Sequence, residues 1–102
     1  MVIVSVLYPA SEGATFDSDY YDATHIPLVK DAFMDTGLKE VLVYKGLAGG
    51  DGAAPPFVAM AHLVFEDAGA LQASMGGPRA PEVLADVANF TNITPITQIS
   101  TS

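Results

Sequence analysis

At 102 residues the chain has the length of one ordinary domain, and half of it is hydrophobic with positive mean hydropathy, so it must bury a core and is not a disordered segment. Twelve acidic side chains against four basic ones give a formal charge of −8, which repels phosphate backbones and anionic lipid, so neither nucleic acid nor a membrane is expected as a partner. The absence of cysteine removes disulfide and thiolate chemistry, and two histidines with no carboxylate cluster beside them point to no metal site.

The first apolar run, Val2 to Leu7, is short, lacks a basic leader and runs straight into Tyr8-Pro9. It reads as a strand and not as a signal peptide, and the expected location is the cytoplasm. Met1 to Tyr8 is rich in β-branched residues and stops at a proline that has no amide to donate. Asp17 or Ser18 then offers an oxygen to the free amides that open a helix, with Asp19 adding favourable charge in its first turn. The spacing of Tyr21, His25, Leu28 and Ala32 predicts one helical face between about Ser18 and Thr36, ended by Gly37. Pro27 falls inside that pattern, where it removes a donor and crowds the carbonyl of residue 23, so a bend or a restarted helix is expected around His25.

Leu38 to Leu47 reads as the second strand and Gly46 to Pro56 as a turn-rich connection. Phe57 to Phe65 is the third strand, and it is apolar on both parities, so both of its faces need cover. Asp67 caps a short helix through Met75, Gly76-Gly77-Pro78 interrupts it, and Pro81 to Ala88 forms a second helical piece. Ile93 to Ile99 is the expected last strand. The order βαββαβ over one domain, residues 1–102, is an α+β, ferredoxin-like plan: a four-stranded antiparallel sheet with helices on one face. An apolar sheet face with no cover of its own predicts a homodimer, the two sheets meeting around a cavity.

His25 carries the most chemistry, because imidazole exchanges protons near neutral pH and Tyr21 lies one helical turn earlier, about 40° away around the axis. The alternative is a histidine that satisfies a backbone carbonyl freed by the Pro27 bend. Asp22 could orient the imidazole, but an acidic residue early in a helix is ordinarily there for solvation and the dipole. His62 shares its parity with Val58, Met60 and Val64, and faces either the helices, as a satisfied core histidine, or the cavity, as a second ligand-binding group with Tyr8 as a neighbour. Gln98 poses the same question on the last strand. Arg79 could hold an anion but more commonly pairs with a carboxylate, and Asn89 to Asn92 reads as a turn.

Leu7-Tyr8-Pro9, the block Phe16-Asp17-Ser18-Asp19-Tyr20-Tyr21-Asp22-Ala23-Thr24-His25-Ile26-Pro27-Leu28, and Val87 to Thr91 followed by Pro95 and Gln98-Ile99-Ser100 together resemble the EthD family over nearly the whole chain. The F-D-x-D-Y-Y-x-x-x-H-x-P-L block is the most specific part. The resemblance implies a dimeric α+β barrel, and relatives that are small cofactor-free oxygenases, isomerases, dehydratases or decarboxylases.

Two functions follow as expectations. The first is a cofactor-independent enzyme in which His25, helped by Tyr21, moves a proton on an apolar or aromatic small molecule, with Tyr8, Met60, His62 and Gln98 as ligand-binding candidates; oxidoreductase and acid/base lyase or isomerase chemistry are both open. The second is a non-catalytic carrier or accessory protein for such a molecule, suggested by the scarcity of titratable groups.

Overall fold

The computed structural model describes residues 1–102. In chain order the elements are β1 (Val2–Pro9), α1 (Ser18–Tyr20), a π-helical turn (Tyr21–His25), α2 (Ile26–Phe33), a 3₁₀ turn (Met34–Thr36), β2 (Leu38–Lys45), β3 (Phe57–Phe65), α3 (Ala68–Met75), α4 (Ala80–Asp86), a 3₁₀ turn (Val87–Asn89) and β4 (Ile96–Thr101). The strands form one antiparallel sheet in the order β2-β3-β1-β4. This is the ferredoxin-like arrangement, each βαβ half sending its helices over the same side.

Strand parity decides what the sheet offers to each side. Val2, Val4 and Tyr8 of β1 stand opposite Phe65, Leu63 and Ala59 of β3, and all six are buried beneath the helices. Val29, Ala32 and Phe33 of α2, with Ala80 and Val83 of α4, close one core cluster against them. Tyr8, Tyr21, Ile26, Ala59 and Phe90 form a second, aromatic cluster at the other end.

The opposite parity forms an uncovered outer face. There Leu42, His62, Ser5 and Gln98 make one row across the sheet, and Tyr44, Met60, Leu7 and Ile96 make the next. Leu42, Tyr44 and Ile96 are exposed. The apolar alternate parity of β3 therefore has no partner within the chain.

Small shifts of one or two residues take β1 through Pro9, α4 to Ala80–Asp86 and β4 on to Thr101, and two larger departures have clear causes. β2 stops at Lys45, because the Gly46 amide makes the last bond to the Val58 carbonyl before the chain turns out, leaving Leu47 in solvent. The last strand begins at Ile96 and not Ile93: Ile93 packs against the aromatic cluster, and Pro95 has no amide for the ladder. Asp67 caps α3 as expected, its carboxylate accepting from the Ala70 amide at 2.8 Å.

Gly37 ends the helical run at φ +101, and a Cβ there would collide with the Cβ of Ala70 on α3. Both backbone conformation and helix-to-turn packing require glycine. Gly37→Ala is expected to lower stability by roughly 1–3 kcal/mol, read as a lower urea midpoint at unchanged slope.

Candidate active site

The helix that carries His25 starts where the Asp17 carboxylate accepts the Tyr20 amide at 3.0 Å. Three residues later the α-helix widens. Pro27 has no amide to return to the carbonyl of residue 23, and the Ile26 amide reaches back five residues to the Tyr21 carbonyl, giving the π-helical turn Tyr21–His25. The bend expected at Pro27 thus takes the form of a wide turn, and it buries Tyr21 and His25 together.

His25 is 4% exposed, and its Nδ1 lies 2.8 Å from Oδ2 of Asp86, at the end of α4. The other carboxylate oxygen of Asp86 accepts from the Tyr20 hydroxyl at 2.6 Å and from Asn89 Nδ2 at 3.0 Å. Burial pushes the Asp86 carboxyl upward, but the hydrogen bonds from Tyr20, Asn89 and His25 outweigh it and hold it below the ordinary carboxylate value. Tyr20 shifts the opposite way, its phenol raised chiefly by the bond to Asp86. An ionised carboxylate only accepts, so His25 Nδ1 donates this hydrogen bond, and in the neutral imidazole the lone pair is on Nε2. Two rings pack on the imidazole: Tyr21 stacks on it at 5.6 Å between centroids, and Phe90 lies tilted against it at 4.6 Å.

His25 opens onto a cavity of about 220 Å³ between the inner sheet face and the helices. Fifteen of its eighteen lining residues are hydrophobic, among them Val4, Val29, Leu63, Val83 and Ile99, with Tyr8 and Tyr21 near the histidine. Pro95 and Thr97 complete the rim, and no Lys, Arg, Asp or Glu lines the wall. No three His, Asp or Glu side chains converge as a metal would require.

This placement corrects two expectations. The cavity reached by His25 lies inside one subunit and not between two sheets. Tyr8 shares that cavity with His25 and Tyr21, whereas His62, Met60 and Gln98 project from the outer face, so Tyr8 is not a neighbour of His62. The pleat separates them, because Tyr8 and Ser5 differ in parity. His62 is neither a core histidine under the helices nor part of this cavity: its Nδ1 bonds Ser5 Oγ at 2.8 Å and its ring lies 5.9 Å from that of Tyr44. Gln98 bonds Ser100 at 3.0 Å on the same side.

Asp22 turns away from His25 to pair with Lys45 at 2.9 Å, and Arg79 pairs with Asp31 and Glu82, so both take their ordinary structural roles. Residues Asn89 to Asn92 do more than turn the chain. Asn89 bonds Asp86, Phe90 walls His25, and Thr91 bridges to Phe16. Asp86, the partner of His25, is not singled out by the sequence, and Tyr20, whose hydroxyl the sequence offers as a possible donor, gives its hydrogen bond to Asp86. A signal was present: Ala80, Val83 and Asp86 recur at helical spacing, which sets an acid on the buried stripe of α4.

The fold and site define a ferredoxin-like α+β protein with a partly open apolar cavity and one histidine–carboxylate pair. Residues 12–94 match the family model for the EthD domain, and the chain belongs to the EthD family. It is similar to an EthD-like protein from Ralstonia eutropha JMP134, at 42% identity over 97% of this chain and 88% of that one, with a TM-score of 0.87. An ethyl tert-butyl ether D family protein from Bacillus halodurans C-125 matches at 23% identity over 100% and 98% of the two chains, TM-score 0.79. SnoaB, a cofactor-independent oxygenase from Streptomyces nogalater, shares the fold at 12% identity over 99% and 90%, TM-score 0.64. No curated protein matches the chain. No helix is long and apolar enough to cross a membrane.

The lowered Asp86 carboxyl sets a sign for acid stability. A group whose folded value lies below its unfolded one stabilises fully above the unfolded value and loses that contribution as pH falls through the folded value. Wild type is therefore expected to exceed Asp86→Asn in stability by a constant margin at neutral pH, and the margin should shrink as pH falls below the usual 3.8. Urea titrations of both proteins across that range check it.

Proposed function

We propose that the chain is a small-molecule enzyme in which His25 Nε2 takes and returns a proton on an apolar ligand held in the inner cavity. The observation that carries this is the Asp86–His25 bond at 2.8 Å, because it holds Nδ1 of a cavity-lining histidine and so leaves Nε2 as the nitrogen that can take a proton. Asp86 also balances the imidazolium that forms when the proton arrives, as a buried anion beside a positioned base does. Tyr21 and Phe90 hold the ring plane, so little reorganisation accompanies transfer.

Proton removal of this kind begins isomerisation, dehydration and cofactor-independent oxygenation alike. The likeness to SnoaB supports the last of these as one destination. The step assigned to His25 is common to all three and draws on no cofactor. A second reading, a binding protein without turnover, is supported by the cavity wall itself, which holds one histidine and no Lys, Arg, Asp or Glu.

Turnover of apolar hydroxy- and keto-aromatic compounds separates the two. Wild type should convert at least one, and His25→Ala should lose about 10²- to 10⁴-fold in kcat while remaining folded. A folded His25→Ala protein that matches wild type on a converted compound overturns the assignment. Affinity without conversion across the panel favours the carrier.

We further propose that two copies pair through their outer sheet faces, burying Leu42, Tyr44, Met60 and Ile96, with His62, Ser5 and Gln98 as the polar row at that contact. This is how an apolar sheet face that no helix covers is removed from water. Wild type should scatter light as a dimer at micromolar concentration and Leu42→Asp as a monomer; a folded wild-type monomer contradicts the proposal.

A further inference from the structure

Asp86 holds more donors than the orientation of one histidine requires. Its Oδ2 meets His25 Nδ1 at 2.8 Å, while Oδ1 takes two donors of its own, the Tyr20 hydroxyl at 2.6 Å and Asn89 Nδ2 at 3.0 Å. Asn89 Nδ2 also lies 3.5 Å from the Tyr20 hydroxyl oxygen, so Tyr20, Asn89 and Oδ1 form a closed triangle. The Tyr20 ring stacks on Phe90 at an interplanar angle of 25°, and Phe90 in turn packs against the imidazole. Neither Tyr20 nor Asn89 lines the cavity, so whatever they do for a ligand passes through Asp86.

A carboxylate shares one charge between two oxygens. Donors on Oδ1 draw that charge toward themselves and leave Oδ2 a weaker partner for a protonated imidazole. The Asp86 carboxyl reflects this: burial raises it, and the bonds from Tyr20 and Asn89 act ahead of the one from His25 in bringing it below its ordinary value. The other titratable groups around His25 are neutral, paired or exposed. Burial keeps the phenols of Tyr8, on β1, and Tyr21 protonated. Along the histidine's own helical run Asp17 accepts the Tyr20 amide, and Asp22 pairs with Lys45 of β2 at 2.9 Å. Glu82, at the start of α4, pairs with Arg79, and Asp19, Lys30 and Asp31 are exposed.

We propose that Tyr20 is a positioning residue for His25: its hydroxyl, with Asn89, holds Oδ1 of Asp86 and tempers the pull of Oδ2 on the imidazole, so that His25 meets its ligand as a neutral base. This rests on the proton-transfer role of His25 and names the groups that tune it. An imidazole facing a carboxylate with no other donors would keep its proton too readily to remove another near neutral pH. An imidazole facing no carboxylate would lose both its orientation and its counter-charge. The two donors on Oδ1 set a point between these limits.

The test is proton–nitrogen correlation NMR of the free protein, which reads the tautomer of His25 and the pH at which it titrates, its signals assigned from their loss in His25→Ala. Tyr20→Phe keeps a ring on Phe90 and removes the donor, so His25 should stay protonated on Nδ1 and titrate roughly half a pH unit higher than in wild type. Asn89→Ala should act in the same direction by less, since water replaces a donor at this exposed position, and the double variant should exceed either. Asp86→Asn should act in the opposite direction, by roughly one pH unit or more, and move part of the population to the Nε2-protonated tautomer. Loss of packing would not raise the midpoint in one variant and lower it in the other. If Tyr20→Phe leaves the midpoint unchanged, lowers it or loses the Nδ1 tautomer, Tyr20 acts by packing and the proposal fails. An unchanged midpoint in Asp86→Asn also overturns it, because the effect then does not pass through the carboxylate. None of these readings uses a substrate: midpoints that move as expected in a protein that converts nothing support the tuning and overturn the catalytic reading of His25.

Discussion

A carboxylate sunk among apolar side chains is stable as an anion only where donors replace the water it gave up, and Asp86 finds them in Tyr20, His25 and Asn89. Tyr20 and His25 belong to the crossover between β1 and β2, and Asp86 and Asn89 to the crossover between β3 and β4. One acidic side chain therefore staples the two βαβ halves on the helix side, while the sheet joins them on the other. The same bonds fix which imidazole nitrogen is free. Structural and chemical demands fall on one residue, and losing it would leave His25 without an orienting partner and Tyr20 without an acceptor.

The pleat divides the remaining polar groups as strictly as the carboxylate gathers them. The two histidines sit on opposite faces of the sheet: His25 on the helix side, among aromatic rings, and His62 in the outward row with Leu42, Ser5 and Gln98. Inner positions of β1 and β3 carry only apolar side chains apart from the Tyr8 hydroxyl, so the cavity owes its apolar wall to strand parity and its few polar groups to His25, Tyr21, Tyr8 and Thr97. The apolar cavity and the uncovered outer face therefore draw on different side chains of the same strands.

The fold was legible because its signals are local: β-branched strands, a proline after β1, an aspartate cap on each crossover helix and Gly37 after the first. The Pro27 bend was legible for the same reason, since a missing amide has one predictable victim. The site was half legible. His25 and Tyr21 are neighbours along one helix, so spacing brought them together, and the family block drew attention to them. Asp86 comes 61 residues later, and only the packing of α4 against the π-helical turn makes the pair. The direction faced by His62 was open for a related reason: parity groups residues that share a face but does not say which face the helices cover. Tyr8 went to the wrong partner on that account.

The widened turn at Tyr21–His25 makes the site depend on chain length as well as composition. Between the Asp17 cap and Pro27 the sequence holds one residue more than an ordinary helical path would use, and the π-helical turn is where that surplus is stored. Deleting a single residue there would let the segment relax to regular pitch with nothing broken in the ladder. Because a wide turn takes up its extra residue while leaving the helix on either side in phase, the cap side would keep its place; what would be lost is the wide turn itself, which sets Tyr21 against His25.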